Sequence, residues 1–229
     1  VWAVDPGEAT GVLDYLKQNE LELEGILITH HHMDHTGGVA DLVNATHCQP
    51  IVGPDLPCVN KTVKAGDTIH LKGPDIHFDV IEVPGHTLDH LAFVGEGILL
   101  CGDTLFAGGC GRLFEGTAQQ MYDSLNKFKA LPDDTLVYCT HEYTLNNLEF
   151  AITVEADNDA LIERLDDVKL MRAQNQITLP TTIALEKATN PFLRTQSASI
   201  HTYLQQQAMI YLEDEVAVLA ALRQLKDNW

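Results

Sequence analysis

Apolar residues in the first two-thirds of the chain fall in short runs that stop at glycine, proline or a polar residue. Val1–Val4, Gly25–Ile28, Ile51–Gly53, Leu91–Val94, Ile98–Cys101 and Leu136–Cys139 are too short for helices and are predicted as strands. Residues 76–83 alternate, with Ile76, Phe78 and Val80 on one side, and end at Pro84-Gly85, which predicts a half-buried strand. Gly95-Glu96-Gly97 predicts a hairpin turn between its two neighbours. Helical spacing appears between these runs. Val12, Leu13 and Leu16 mark a helix from about Ala9 to Leu21, and a short one is predicted from Gly38 to Ala45. Thr117 with Gln120 is a capping-box pattern, and it opens a helix with Met121, Leu125 and Phe128 on one face.

The pattern changes after about Leu145. Glycine nearly vanishes and helical periodicity takes over. Leu161, Leu165 and Val168 form one apolar face, and Val216, Leu219 and Leu225 sit at compatible spacing near the end. The reading is an α/β domain over residues 1–145, with Leu136–Cys139 as its last strand, and a helical domain over 146–229.

Charge narrows the function. A net charge of -19 disfavours nucleic acid and anionic membranes as partners, because both require basic surface. No apolar run approaches the length of a membrane span. Five cysteines without a CxxC pair fit a reducing compartment, so a cytoplasmic location is expected. Val1–Val4 reads as the middle of a strand, so N-terminal strands are expected to be missing.

The densest chemistry lies directly after Ile26-Leu27-Ile28, in Thr29-His30-His31-His32-Met33-Asp34-His35. Imidazole nitrogen and carboxylate oxygen are ligands that borderline first-row metals favour. Three later strands also end in metal-capable residues: Val83-Pro84-Gly85-His86, Leu100-Cys101-Gly102-Asp103 and Val137-Tyr138-Cys139-Thr140-His141. Each alone is a weak signal. Together they bring seven ligand candidates to the ends of four strands, where α/β folds place their sites. A purely structural zinc module would favour closed, cysteine-rich ligand sets, and no cysteine here has ligand spacing.

The series Thr29-His30-x-His32-x-Asp34-His35, then His86, Asp103 and His141, resembles the metallo-β-lactamase superfamily. Gly102-Asp103-Thr104-Leu105-Phe106, the segment Gly109 to Thr117, Thr140-His141-Glu142-Tyr143 and Asn190-Pro191-Phe192-Leu193-Arg194 resemble its glyoxalase II members, the hydroxyacylglutathione hydrolases, and the bacterial branch in particular. The resemblance implies a four-layer αββα sandwich with a C-terminal helical domain, and a family start about two strands earlier than Val1. It implies His30, His32 and His86 on one metal ion, Asp34, His35 and His141 on a second, and Asp103 bridging them. His31 is not carried over as a ligand, and His47, His70, His77, His90 and His201 match no ligand position. Glutathione contacts would fall on Arg112, Phe114, Tyr143 and Arg194. Eukaryotic members have tyrosine at the position of Phe114, and they carry a lysine three positions after the Arg194 equivalent, where this chain has Ser197.

The implied activity is hydrolysis of S-(2-hydroxyacyl)glutathione, such as S-D-lactoylglutathione, to glutathione and D-lactate in methylglyoxal detoxification. A hydroxide bridging two divalent ions would be the nucleophile, aimed by Asp34, with Asp103 completing the site. Zinc is the expected metal, with iron or manganese also suited to these ligands. The expected partner is a small glutathione thioester, and the chain is expected to be a monomer. The competing reading is an iron-dependent persulfide dioxygenase or another hydrolase of the same fold. A one-iron oxygenase would leave no use for a complete second ligand set.

Overall fold

The computed structural model describes residues 1–208 and 214–229. The chain opens with β1 (Trp2–Val4), α1 (Thr10–Gln18), β2 (Gly25–Leu27), α2 (Met33–Thr36), α3 (Val39–Thr46), β3 (Ile51–Gly53) and β4 (Lys61–Thr62). The four strands form a parallel sheet in the order β1-β2-β3-β4. Next come β5 (Thr68–Leu71), β6 (Ile76–Glu82), β7 (Leu91–Gly95), β8 (Ile98–Gly102), the small ribbon β9 (Leu105–Phe106) and β10 (Gly109–Cys110), α4 (Ala118–Lys129) and β11 (Leu136–Cys139). The C-terminal part holds α5 (Thr144–Val154), α6 (Asp159–Ala173), β12 (Thr181–Thr182), α7 (Ile183–Thr189), a 3-10 turn at Pro191–Leu193, α8 (Ala198–Ala208) and α9 (Glu215–Asp227). The second sheet runs β12-β11-β8-β7-β6-β5.

Strand periodicity explains the layering. In and just after β2, Ile26 and Ile28 pack with Leu16 of α1 and with Val39 and Leu42 of α3. Leu27 points the other way, to a core shared with Phe78 and Val80 of β6 and with Leu91 and Phe93 of β7. On the far face of the larger sheet, Ala92, Leu99, Cys101 and Val137 meet Met121, Leu125 and Phe128 of α4 and the C-terminal helices. The result is the αββα order that the resemblance implied.

The local signals are equally readable. The turn between β7 and β8 has Glu96 at φ 50° and Gly97 at φ 74°, the geometry that a tight two-residue hairpin demands. Thr117 and Gln120 form the full reciprocal capping box. In α9 the buried residues are Val218, Leu219, Leu222 and Arg223, and Val216 is only half-buried, so the apolar stripe is rotated from the expected one. β11 is the last strand of the first part, and β12 pairs antiparallel with it from within the C-terminal part. Strands as short as β4, β9, β10 and β12 leave no period to read.

A buried ion pair ties the C-terminal part to the ribbon. Arg164 donates to Glu186 Oε1 at 2.6 Å, and both residues are buried. Glu186 Oε2 accepts from Gly108 N–H at 2.8 Å and from Asn190 Nδ2 at 2.9 Å, and the Asn190 amide also donates to the Gly109 carbonyl at 2.9 Å. The loop between β9 and β10 is thus held from outside by α6 and α7. Substituting Glu186→Leu leaves Arg164 buried and unpaired, and is predicted to cost about 3–5 kcal/mol in urea unfolding. The double variant Arg164→Met/Glu186→Leu should recover part of that loss. A single-variant cost below about 1 kcal/mol would show that the pair does not hold the parts together.

Candidate metal centre

Every proposed ligand leaves the carboxyl end of a strand or the first turn of α2. His30 follows β2, His32 caps α2, and Asp34 and His35 lie within it. His86 follows β6, Asp103 follows β8, and His141 follows β11. Asp103 lies one residue after Gly102, whose φ is +49°. A Cβ at Gly102 would stand 2.5 Å from Thr29 Oγ1 and 2.7 Å from His90 Cε1, so only glycine lets these side chains close around the turn.

Two triads result. His30 Nε2 and His86 Nε2 each lie 3.1 Å from His32 Nδ1. Three nitrogens on a tetrahedral zinc are separated by about 3.3 Å when Zn–N is about 2.0–2.1 Å, so this spacing suits one ion. In the second triad, Asp34 Oδ1 is 3.8 Å from His35 Nε2 and Asp34 Oδ2 is 3.6 Å from His141 Nε2. Asp103 lies between the triads. Its Oδ1 is 3.4 Å from both His35 Nε2 and His141 Nε2, and its Oδ2 is 3.5 Å from His86 Nε2. One carboxylate therefore offers a separate oxygen to each group.

Hydrogen bonds behind the ligands set which ring nitrogen carries a lone pair. Asp5 accepts from Thr29 N–H at 2.8 Å and from Thr29 Oγ1 at 2.7 Å. With its proton committed to Asp5, Thr29 Oγ1 accepts from His30 Nδ1–H at 3.0 Å, which leaves His30 Nε2 free to ligate. His86 Nδ1–H donates to the Arg112 carbonyl at 2.8 Å, with the same effect on Nε2. Asp5 Oδ2 also lies 3.2 Å from His35 Nδ1. Both His35 ring nitrogens are buried without a hydrogen bond among the described residues, Nδ1 facing Asp5 and Nε2 facing Asp34 and Asp103, and only Nε2 faces the other candidate ligands.

The field matches this arrangement. Burial would raise the Asp103 carboxyl, but His141, His35 and a 2.5 Å hydrogen bond from Thr140 Oγ1 outweigh it and hold the group well below the usual carboxylate range. Burial lowers His30, with further repulsion from His90 and His35. Burial would lower His35 too, but the carboxylates of Asp103 and Asp5 raise it to about 10. Positive charge is stabilised at that point, whether it is a proton or a metal ion.

His90 matched no ligand position in the sequence, yet it organises the site. Burial lowers it to about 3, so its ring is neutral. Nδ1–H donates to the Leu91 carbonyl at 3.0 Å, and Nε2 accepts from Asp103 N–H at 3.1 Å. The ring also stacks on His30 with centroids 4.6 Å apart. Asp5 and His90 are positioning residues. His31, as expected, stays out of both triads, 3.0 Å from Asp89 and 3.2 Å from Glu115.

A cavity of ≈ 620 Å³ opens onto both triads. Phe114 sits edge-on to His32 and His86, and Tyr143 stacks on His141 at 4.8 Å. Arg112 also lines the cavity, with Nε 3.3 Å from Asp227. Arg194 does not. Its guanidinium donates to Glu155 at 2.8 and 2.7 Å, and Ser197 Oγ donates to the same carboxylate, so both are committed away from the cavity. Two further cations, Arg223 and Lys226, line the same cavity from the last turns of α9, and Arg223 also donates to Asp227 at 3.0 Å and to the Cys110 carbonyl at 2.7 Å. They show the spacing of an arginine followed three positions later by lysine, the pattern sought at Arg194. Burial and the neighbouring Arg223 lower Lys226 to about 8.

Comparison with known proteins agrees over the whole chain. The family described as "Metallo-beta-lactamase superfamily" matches residues 4–141, and that described as "Hydroxyacylglutathione hydrolase C-terminus" matches residues 142–229. A hydroxyacylglutathione hydrolase of Shewanella halifaxensis (strain HAW-EB4) is 51% identical over 100% of this chain and 90% of its own. Hydroxyacylglutathione hydrolase 2 of Vibrio vulnificus (strain YJ016) is 50% identical over 99% of this chain and 89% of its own. Among solved structures, ETHE1 from Myxococcus xanthus shares the fold with a TM-score of 0.62 at 24% identity, covering 98% of this chain and 87% of that one.

The tautomer relay gives a direct prediction. Asp5→Asn loses the acceptor that orients Thr29 and His35, and metal affinity should fall about 10- to 100-fold in a chelator competition. Unchanged affinity would show that Asp5 does not orient the ligands.

Proposed function

The chain belongs to the hydroxyacylglutathione hydrolase family of the metallo-beta-lactamase superfamily, and on that premise we propose a dinuclear thioester hydrolase acting on S-(2-hydroxyacyl)glutathione, with S-D-lactoylglutathione as substrate. The observation that carries this reading is one cavity lined both by members of the two ligand triads and by Arg112, Arg223 and Lys226.

His30, His32 and His86 would hold one ion, and Asp34, His35 and His141 the other, with Asp103 between them. Two divalent ions so held would bring a shared water towards neutral pKa and withdraw charge from the thioester carbonyl. The remaining roles belong to the chain. Asp34, the one exposed ligand candidate, is placed to accept a proton from the attacking water and aim it. Lys226 receives the anionic end of the glutathione moiety, with Arg112 and Arg223, both paired to Asp227, beside it. Phe114 and Tyr143 flank the entrance and present ring faces to the acyl group and its linker.

Hydrolysis forms a bond from water oxygen to the acyl carbon and breaks the C–S bond. Glutathione departs as a thiolate, with a conjugate-acid pKa of about 8.5 like free cysteine, and takes its proton from solvent. No dedicated general acid is required. A one-iron dioxygenase is not favoured, because Asp34, His35 and His141 form a complete second set.

The same proposal takes zinc in both positions, a monomeric chain in the cytoplasm, and a division into a catalytic part at 1–145 and a helical, substrate-binding part at 146–229. Five free thiols support a reducing compartment, and α9 brings its cations to the cavity from the second part. No described helix is long and apolar enough to cross a membrane.

The metal-loaded protein should hydrolyse S-D-lactoylglutathione, and removal of the metal should abolish turnover. A protein holding both ions that leaves this thioester intact would overturn the reading. Specificity is tested at Lys226. It is charged below about pH 8 and neutral above, so KM should rise as pH passes 8. Lys226→Ala should raise KM roughly 10- to 100-fold with kcat largely kept, the value of a hydrogen bond to a charged group. Lys226→Arg should flatten the alkaline rise, and a KM indifferent to all three changes would place the anionic end of the substrate elsewhere.

A further inference from the structure

The β5–β6 hairpin gathers a third group of metal-capable side chains, away from the cavity. β5 is the outer strand of the larger sheet, and its register sets His70 directly opposite His77. Val80 N–H donates to the Asp67 carbonyl at 2.8 Å three positions along the same ladder. By alternation His70 and His77 are a non-hydrogen-bonded pair, the kind whose side chains stand closest. Their rings stack with centroids 4.2 Å apart and planes 2° from parallel. Asp75, at φ 56° in the connecting turn, reaches back to put Oδ1 2.8 Å from His70 Nε2. One ligand atom from each of the three lies within 4.8 Å of the other two.

We propose that His70, Asp75 and His77 form a separate site for a zinc, nickel or copper(II) ion, which clips the outer strand to its neighbour. Two imidazoles and one carboxylate suit these metals, whereas calcium and magnesium favour oxygen donors alone. All three side chains are exposed, so the ring rotations that turn the in-plane lone pairs of the two parallel imidazoles onto one ion disturb no core residue. A net charge of -19 raises the local concentration of cations. His77 stands at the opposite end of β6 from His86, roughly 17 Å of strand before Glu82, so the site shares no ligand with the catalytic triads. An ion here would also protect the edge, since β5 carries the unpaired backbone groups of an outer strand.

Calorimetric titration of zinc into the holoenzyme tests the proposal. The wild-type protein should take up one further equivalent per chain. His70→Gln and His77→Gln should each lose that equivalent and keep wild-type thioester hydrolysis. No further equivalent in the wild type, or its survival in either variant, would overturn the proposal. Only the difference of one equivalent is read, so the result stands apart from the reading of the catalytic site.

Discussion

The catalytic end of this molecule depends on where one carboxylate is held. Asp103 turns one oxygen to His35 and His141 and the other to His86, and so makes one centre out of two triads. Its position is fixed from several sides. Gly102 supplies the left-handed turn, His90 accepts its backbone N–H, and Thr140 donates to its side chain. A buried carboxylate in such surroundings requires compensation, and the imidazoles and hydroxyl around it provide it.

The support extends well beyond the ligands. Asp5, from the loop after β1, commits the Thr29 hydroxyl and thereby the His30 tautomer, so one strand sets the electronic state of a candidate ligand that follows its neighbour β2 in the same sheet. Glu186 and Arg164 fasten the ribbon that follows Asp103 to the C-terminal helices. The same helical part brings Arg223 and Lys226 to the cavity. The two triads and the cavity cations are thus placed by different layers of one fold.

Much of this was legible in the sequence, for physical reasons. Ligands at strand ends follow short apolar runs, so the order His30 to His141 could be read without coordinates. The period-two pattern of β6 and the Thr117–Gln120 box acted through local geometry and appear as read. What escaped depends on packing between distant segments. β12 is too short to show a period and exists only because β11 offers an edge. His90 matches no ligand position, because its partner is a backbone N–H thirteen positions away. Arg194 lies in a recognisable segment but turns to Glu155, whereas Arg223 and Lys226 lie in an ordinary amphipathic helix that buries Val218, Leu219 and Leu222 rather than Val216. A cation's role depends on which part of the fold its helix faces, and linear order does not carry that.

The central claim is that Asp103 couples the two ions. The most direct test is metal binding by Asp103→Ala, measured as stoichiometry and stepwise affinity against the wild-type protein with the fold checked by circular dichroism. The account predicts retention of at most one tightly bound ion, with the remaining triad titrating independently. Two ions held at wild-type affinity would contradict it.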